Sequence, residues 1–375
     1  MKTPVSWIAV VALLGVGGWG ASAQAFDSGS NGSYGAITVP NNTTTTLELP
    51  PDGILHCTTV TLGNNSTLQF TPNALNTPVF ILAQGDVAVG FNSSITVSGA
   101  SASGAIGGKG GPGGFDGGMG GFGPSAPANR GGDGYGPGRG INVEGKRFAA
   151  HANVEDSNTN VYGNALVMPL IGGSGGAGSN GNPGQGGGGG GGALLIASST
   201  SIVLNGSIFA SPGVGVGYGS GGSVRLIAPT GGGSGGIQTG TFGRGLGRIR
   251  IDTTNPLAFR NLSYSGRTTR GKQMTVFPPV ASSLHFVEVA GQTIPVGAPA
   301  AVTVTLPVGA PLTQTVKLRA QGFTGEVPVR LVVTPEHSPS TEVDLVLNAA
   351  ANPPELTTQI TLTVGEPTRV EAWTR

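Results

Sequence analysis

Between Gly243 and Lys272 the chain carries Arg244, Arg248, Arg250, Arg260, Arg267, Arg270 and Lys272 against one carboxylate, Asp252. A basic stretch of this kind attracts anionic polysaccharide or lipid headgroups. Arg248 and Arg250 are two residues apart, so on a strand they share a face. With Arg244 they form the candidate binding set. A second reading is structural: outward arginines on a terminal strand discourage edge-to-edge aggregation.

The densest mixture of acid, base and imidazole lies elsewhere, in Glu144, Lys146, Arg147, His151, Glu155 and Asp156. Polysaccharide cleavage needs carboxylates held close together, or a base beside an arginine. This island sits within glycine-rich sequence, and it reads as a solvated loop. Gly172-Gly173-Ser174-Gly175-Gly176 and Gly232-Gly233-Ser234-Gly235-Gly236 match the nucleophile-elbow pattern G-x-S-x-G. That elbow requires a strand before the serine and a helix after it. Here glycine-rich sequence surrounds both matches and no helix is expected to follow. Gly107-Gly108-Lys109-Gly110-Gly111 fails as a phosphate loop, because Gly110 stands where Ser or Thr should bind the metal. It also fails as a calcium nonapeptide, because Pro112 replaces the carboxylate. Asp116 and Asp133 remain as isolated acids. The only cysteine, Cys57, cannot form an internal disulfide. Its neighbour His56 points to the opposite face of a strand, so the two do not make a metal pair. No catalytic residue, metal or cofactor is assigned.

The elements that would position such residues are short, apolar and repeated. Val60-Thr61-Leu62-Gly63-Asn64-Asn65-Ser66-Thr67-Leu68 aligns with Val87-Ala88-Val89-Gly90-Phe91-Asn92-Ser93-Ser94-Ile95, and the motif returns as Ile202-Val203-Leu204-Asn205-Gly206-Ser207-Ile208. The preceding run recurs as Phe80-Ile81-Leu82-Ala83, Leu194-Leu195-Ile196-Ala197 and Leu226-Ile227-Ala228, which sets Ile196 against Ile227. A strand-turn-strand unit of this length cannot bury its own apolar face, but stacking on copies of itself can. Leu62, Val89 and Leu204 should therefore lie in one core. Asn and Gly at the turns supply positive φ.

Glycine supplies 70 of 375 residues, and charged residues only 10%. The glycine is local: it dominates about 99–192, read as one long insertion between two turns of the repeat. Part of it is expected to be disordered and part to pack over the flank of the stacked repeat. Net charge is +1, which excludes nucleic acid as the main partner, since phosphate binding needs a basic surface. Residues 1–25 read as a secretory signal peptide: Lys2, an apolar core from Val5 to Val16, and Ala23-Gln24-Ala25 before a cleavage site. The mature chain would begin at Phe26, and no later apolar run is long enough to cross a bilayer as a helix. Composition shifts at Pro278-Pro279. Beyond it the chain alternates, as in Val302-Thr303-Val304-Thr305-Leu306 and Val343-Asp344-Leu345-Val346-Leu347, the pattern of a small sandwich.

The segments FDSGSNGSYGA, LPPDGILHCTTV, NTPVFILAQGDVAV, YGNALVMPLIGGSGG, GGGGGGALLIASS, SGGSVRLIAP and GLGRIRID resemble a group of uncharacterised, secreted, glycine-rich bacterial proteins. The resemblance implies an exported bacterial protein with a β-helix-like body, and it implies no activity. The expectation is all-β: a short parallel β-helix or β-solenoid over 26–277 with the long glycine-rich insertion, then an immunoglobulin-like β-sandwich over 278–375. The expected function is non-enzymatic, an exported structural or adhesin-like surface protein, with polysaccharide binding as the alternative. Its partners would be cell-envelope polysaccharide or other surface proteins. Its location would be extracellular, at the cell surface or periplasmic.

Overall fold

The structure, a computed structural model, describes residues 25–240, 245–278, 282–298 and 300–375. The expected signal peptide, apart from Ala25, lies outside the described residues, as does Arg244. Among the described residues the protein is all-β, with no α-, 3₁₀- or π-helix.

Sixteen strands build two parallel sheets. The first turn of chain gives β1 (Gly35–Val39) and β2 (Thr44–Glu48), and the next gives β3 (Ile54–Leu62) and β4 (Thr67–Thr71). Three strands per turn follow: β5 (Val79–Ala83), β6 (Val87–Val89) and β7 (Ser94–Thr96), then β8 (Ala193–Ser198), β9 (Ser201–Leu204) and β10 (Ser207–Phe209). The last turns hold β11 (Ser223–Ile227), β12 (Thr230–Gly232) and β13 (Gly236–Gln238), then β14 (Arg248–Asp252), β15 (Ser263–Ser265) and β16 (Arg267–Gly271). One sheet runs β12-β9-β6-β3-β5-β8-β11-β14-β16 with β1 on β3, and the other runs β15-β13-β10-β7-β4-β2. β3 carries both arms of the first sheet. Its residues 54–57 pair with β5, and its residues 60–62 pair with β6.

The register stacks like on like. Leu62 pairs with Val89 and Val89 with Leu204. Leu68, Ile95, Ile208 and Ile237 form a second row. All of these are at most 2% exposed and share one core. Burying each such side chain contributes about 1.5–3 kcal/mol relative to exposure, so the ladders are the main cohesive element of these sheets. At the turns, Asn42, Asn65 and Asn92 all have φ between 55° and 58°. The Asn41 Oδ1 accepts from the Asn64 amide, and the Asn64 Oδ1 accepts from the Phe91 amide. The repeat unit is thus copied in its turns as well as in its strands. One expected alignment is displaced. Ile196 stacks on Leu226, not Ile227, and Ala83 stacks on Ser198. Matching alanines in the sequence slipped the frame by one residue, which exchanges the two faces of a strand.

The outer face of β5, β8 and β11 is also covered. Leu82, Leu195, Ala197 and Ile227 lie beneath Phe26, Leu170, Met274 and Val276, and the Phe80 and Phe277 rings are 5.2 Å apart. Burial on both faces explains why β8 is apolar from Ala193 to Ala197 rather than alternating. Cys57 is buried and stacked on Ala83. Burial pushes its thiol up to about 12, so it is unreactive in the folded chain.

The glycine-rich insertion is packed rather than loose. Gly186–Gly192 runs through a cage of six neighbouring segments. Its amides donate outward with a period of three. Gly186, Gly189 and Gly192 bond to Gly104, Ala100 and Val97; Gly187 and Gly190 bond to Gly118 and Phe115; Gly188 and Gly191 bond to Gly217 and Ser220. Its carbonyls accept with the same period. Those of Gly187 and Gly190 take the amides of Gly108 and Gly111, those of Gly188 and Gly191 the amides of Gly176 and Gly173, and those of Gly186 and Gly189 the amides of Val216 and Gly213. A three-residue period without internal bonds is that of a polyproline II helix. All three sides of this helix face other backbone. A Cβ on any residue from Gly186 to Gly192 would fall well inside 3.0 Å of a neighbouring carbonyl, so only glycine fits there.

From 283 onward the pairing is antiparallel. β17 (Ser283–Val289), β18 (Gln292–Thr293), β19 (Thr313–Gln321), β20 (Glu326–Pro335), β21 (Thr341–Asn348), β22 (Glu355–Thr361) and β23 (Thr368–Thr374) form sheets β18-β17-β19-β22 and β21-β20-β23. Val316, Leu318, Val329, Leu331 and Ile360, from both sheets, share a core separate from the ladders above. These sheets meet the glycine-rich insertion through polar groups. Arg139 bonds Glu342 at 2.7 Å, Asp133 accepts from the Ser340 amide and hydroxyl, and Arg130 donates to the His337 carbonyl.

Candidate functional site

Three basic residues were singled out in the sequence. Arg250 is 7% exposed and donates from Nε and Nη2 to Asp252 Oδ1 at 3.0 and 2.6 Å. Asp252 is fully buried, and its Oδ2 accepts from Arg225 Nε and Nη2 at 3.2 and 3.0 Å. The Gln273 amide adds a bond to Asp252 Oδ1 at 2.9 Å, and Arg225 returns one to the Gln273 carbonyl. Arg250 therefore belongs to a closed Arg-Asp-Arg cluster under the 273–277 strap. Burial lowers the Arg225 guanidinium below its ordinary range, against the opposing pull of Asp252. Arg244 lies outside the described residues.

Arg248 is placed differently. It opens β14 and pairs in register with Arg267 on β16, so the two guanidinium groups leave the same face of adjacent strands. Both line a pocket of about 290 Å³ with Asn164, Val167 and Thr269. Arg248 donates from Nε and Nη2 to the Tyr162 carbonyl at 2.9 and 2.7 Å. Gly163, at φ +69°, makes this approach possible: a Cβ there would sit 3.1 Å from Arg248 Nε. Among the described residues no carboxylate forms an ion pair with Arg248 or Arg267. Burial lowers Arg248 from its ordinary value, and the charge on Arg267 adds to that. Arg267 was not among the candidates. It lies 19 residues beyond Arg248, short of the 27-residue offset between Val60 and Val87, so the repeat spacing did not point to it. A larger depression of about 550 Å³ also carries cations, Lys317 and Arg319, but these are matched by Glu288 and Glu355.

The charged island is not a solvated loop throughout. His151 is fully buried and Glu155 is 6% exposed. His151 Nδ1 lies 2.7 Å from the Gly221 carbonyl, and its ring stacks on Tyr162 at 4.3 Å. Tyr162 donates to the Gly172 carbonyl and accepts from the Ser174 hydroxyl. Ser174, the serine of the first G-x-S-x-G match, is thus a buried hydrogen-bonding residue. It accepts from the Gly138 amide, and its own amide donates to the Ser220 hydroxyl. His151 Nε2 has no hydrogen-bond partner among the described residues. Burial, reinforced by Arg248, holds His151 down to about 4 from 6.5. The neutral ring is therefore the folded form. Stability at neutral pH is unaffected by this group, then falls as pH drops from about 6.5 to about 4 and levels below. The shift corresponds to a loss of up to about 3 kcal/mol. Urea melts from pH 7 to 3.5 should show this slope, and His151→Phe should flatten it.

Asp133, one of the two isolated acids, is buried among Arg130, the Asn142 amide and Ser340. Asp116 pairs with Lys109 at 2.9 Å and accepts from the Gly110 amide. Both are satisfied by the chain itself. No family model, no curated protein and no solved structure matches this chain.

Proposed function

We propose that this chain is an exported, non-catalytic structural protein of the cell surface, with a short β-solenoid body and an immunoglobulin-like tail. The observation that carries the reading is the caged glycine helix. A segment whose backbone is bonded outward in every direction to six neighbours is a stiffening element, and it holds no groups for chemistry. The stacked ladders support the solenoid reading, since three short strands per turn with copied turn residues are what such a fold requires. The neighbours β17-β19-β22 and β20-β23 support the immunoglobulin-like one. Export rests on residues 1–25, and kinship with secreted glycine-rich bacterial proteins rests on the sequence segments quoted above.

The test is localisation together with the mature terminus. In a producing bacterium, N-terminal sequencing should return Phe26, and an epitope on the chain should be removable by protease from intact cells. A cytosolic chain that keeps residues 1–25 would overturn the proposal. So would hydrolysis or elimination of a polysaccharide by the purified mature chain.

A further inference from the structure

The Arg248–Arg267 pair lacks what every other close cation cluster described above possesses, an acid of its own. Arg225 and Arg250 share Asp252, and Arg319 has Glu355. Like charges in register on adjacent strands repel, so this arrangement costs stability unless something negative sits between them. Arg248 spends two donors on the Tyr162 carbonyl, which fixes its plane and leaves Nη1 without a hydrogen-bond partner among the described residues. Arg267 is exposed, and among the described residues its side chain makes no hydrogen bond, so its whole fork is available. Two guanidinium groups facing one cavity match the two oxygens of a single oxyanion.

The remaining walls define the rest of the ligand. Ala152, Ala165 and Val167 are aliphatic, while Asn164 and Thr269 are polar. A volume of about 290 Å³ lies at the small end of ligand sites and suits one ring rather than a chain. We propose that this pocket binds an anionic sugar unit, with its carboxylate between Arg248 and Arg267 and its ring against the wall formed by Ala152, Ala165 and Val167. The site goes beyond the structural role proposed above and stands or falls separately from it. Of the three arginines named from the sequence it retains only Arg248, and it adds Arg267.

The test titrates the mature chain with sodium galacturonate, galactose, inorganic phosphate and sulfate, followed by NMR. Galacturonate should bind saturably and weaken as salt rises. Arg267→Gln should weaken it about 10-fold or more, with the melting curve of the variant confirming that it folds. Arg319→Gln, in the other depression, should leave binding unchanged. Absence of saturable galacturonate binding would overturn the site, and so would unchanged binding by Arg267→Gln. Galactose binding as tightly as galacturonate would overturn the role of the charge. Phosphate or sulfate binding as tightly would overturn the sugar and leave a bare oxyanion site.

Discussion

Gly190→Ala should destabilise the protein by more than about 4 kcal/mol, while Gly232→Ala should cost nothing or stabilise it by about 0.5–1 kcal/mol. The two substitutions add the same methyl group. At Gly190 the new Cβ would fall on the Gly173 carbonyl oxygen and carbon, which are backbone; that carbonyl accepts from the Phe115 amide, and the Gly173 amide donates to the Gly191 carbonyl. No rotamer change can relieve that, and moving the 173 segment breaks bonds on both sides. At Gly232 nothing lies within 4 Å and φ is not positive. Alanine there only removes conformational freedom from the unfolded chain. Paired urea melts measure the difference. A small, equal effect at the two sites would mean that Gly186–Gly192 is not enclosed as described.

The second large effect is expected at Asp252. Removing its carboxylate leaves the buried guanidinium groups of Arg225 and Arg250 uncompensated, in register and 1% and 7% exposed. Breaking a buried ion pair from one side costs about 3–5 kcal/mol, and Asp252→Ala should fall in that range by denaturant midpoint. The strap should loosen as well, since the Gln273 amide loses its acceptor. Lys109→Ala removes one partner of a pair whose lysine side chain is 80% exposed. It should leave the midpoint within experimental scatter. Equal midpoints for the two variants would mean that the Arg-Asp-Arg cluster is not buried.

The ladders were legible because side chains repeat. Gly63 and Gly90, Leu62 and Val89, and Leu68 and Ile95 keep their offset, and the structure pairs the two leucines with those partners. The frame slipped where alanine was matched with alanine, because β5, β8 and β11 are buried on both faces and carry no alternation that would expose an error of one. The packing of the glycine-rich insertion was not legible. Its order comes from backbone bonds, and a run such as Gly186–Gly192 carries no side-chain pattern to read. His151 was read as solvated from its charged neighbours, but its burial comes from Gly221 and Tyr162, which are distant or glycine-flanked in sequence. The pairing of Arg250 with Asp252 did have a local signal, since residues two apart share a strand face. Arg248 was found by the same face rule, and its true neighbour Arg267 needed the register of the next turn.

Amide hydrogen exchange of Gly186–Gly192, resolved by residue, tests the enclosed glycine helix most directly. Every amide in the run donates to a neighbouring segment, so all seven should exchange on the order of a thousandfold more slowly than free peptide, and together. Exchange at the rate of an unstructured glycine tract would contradict the account.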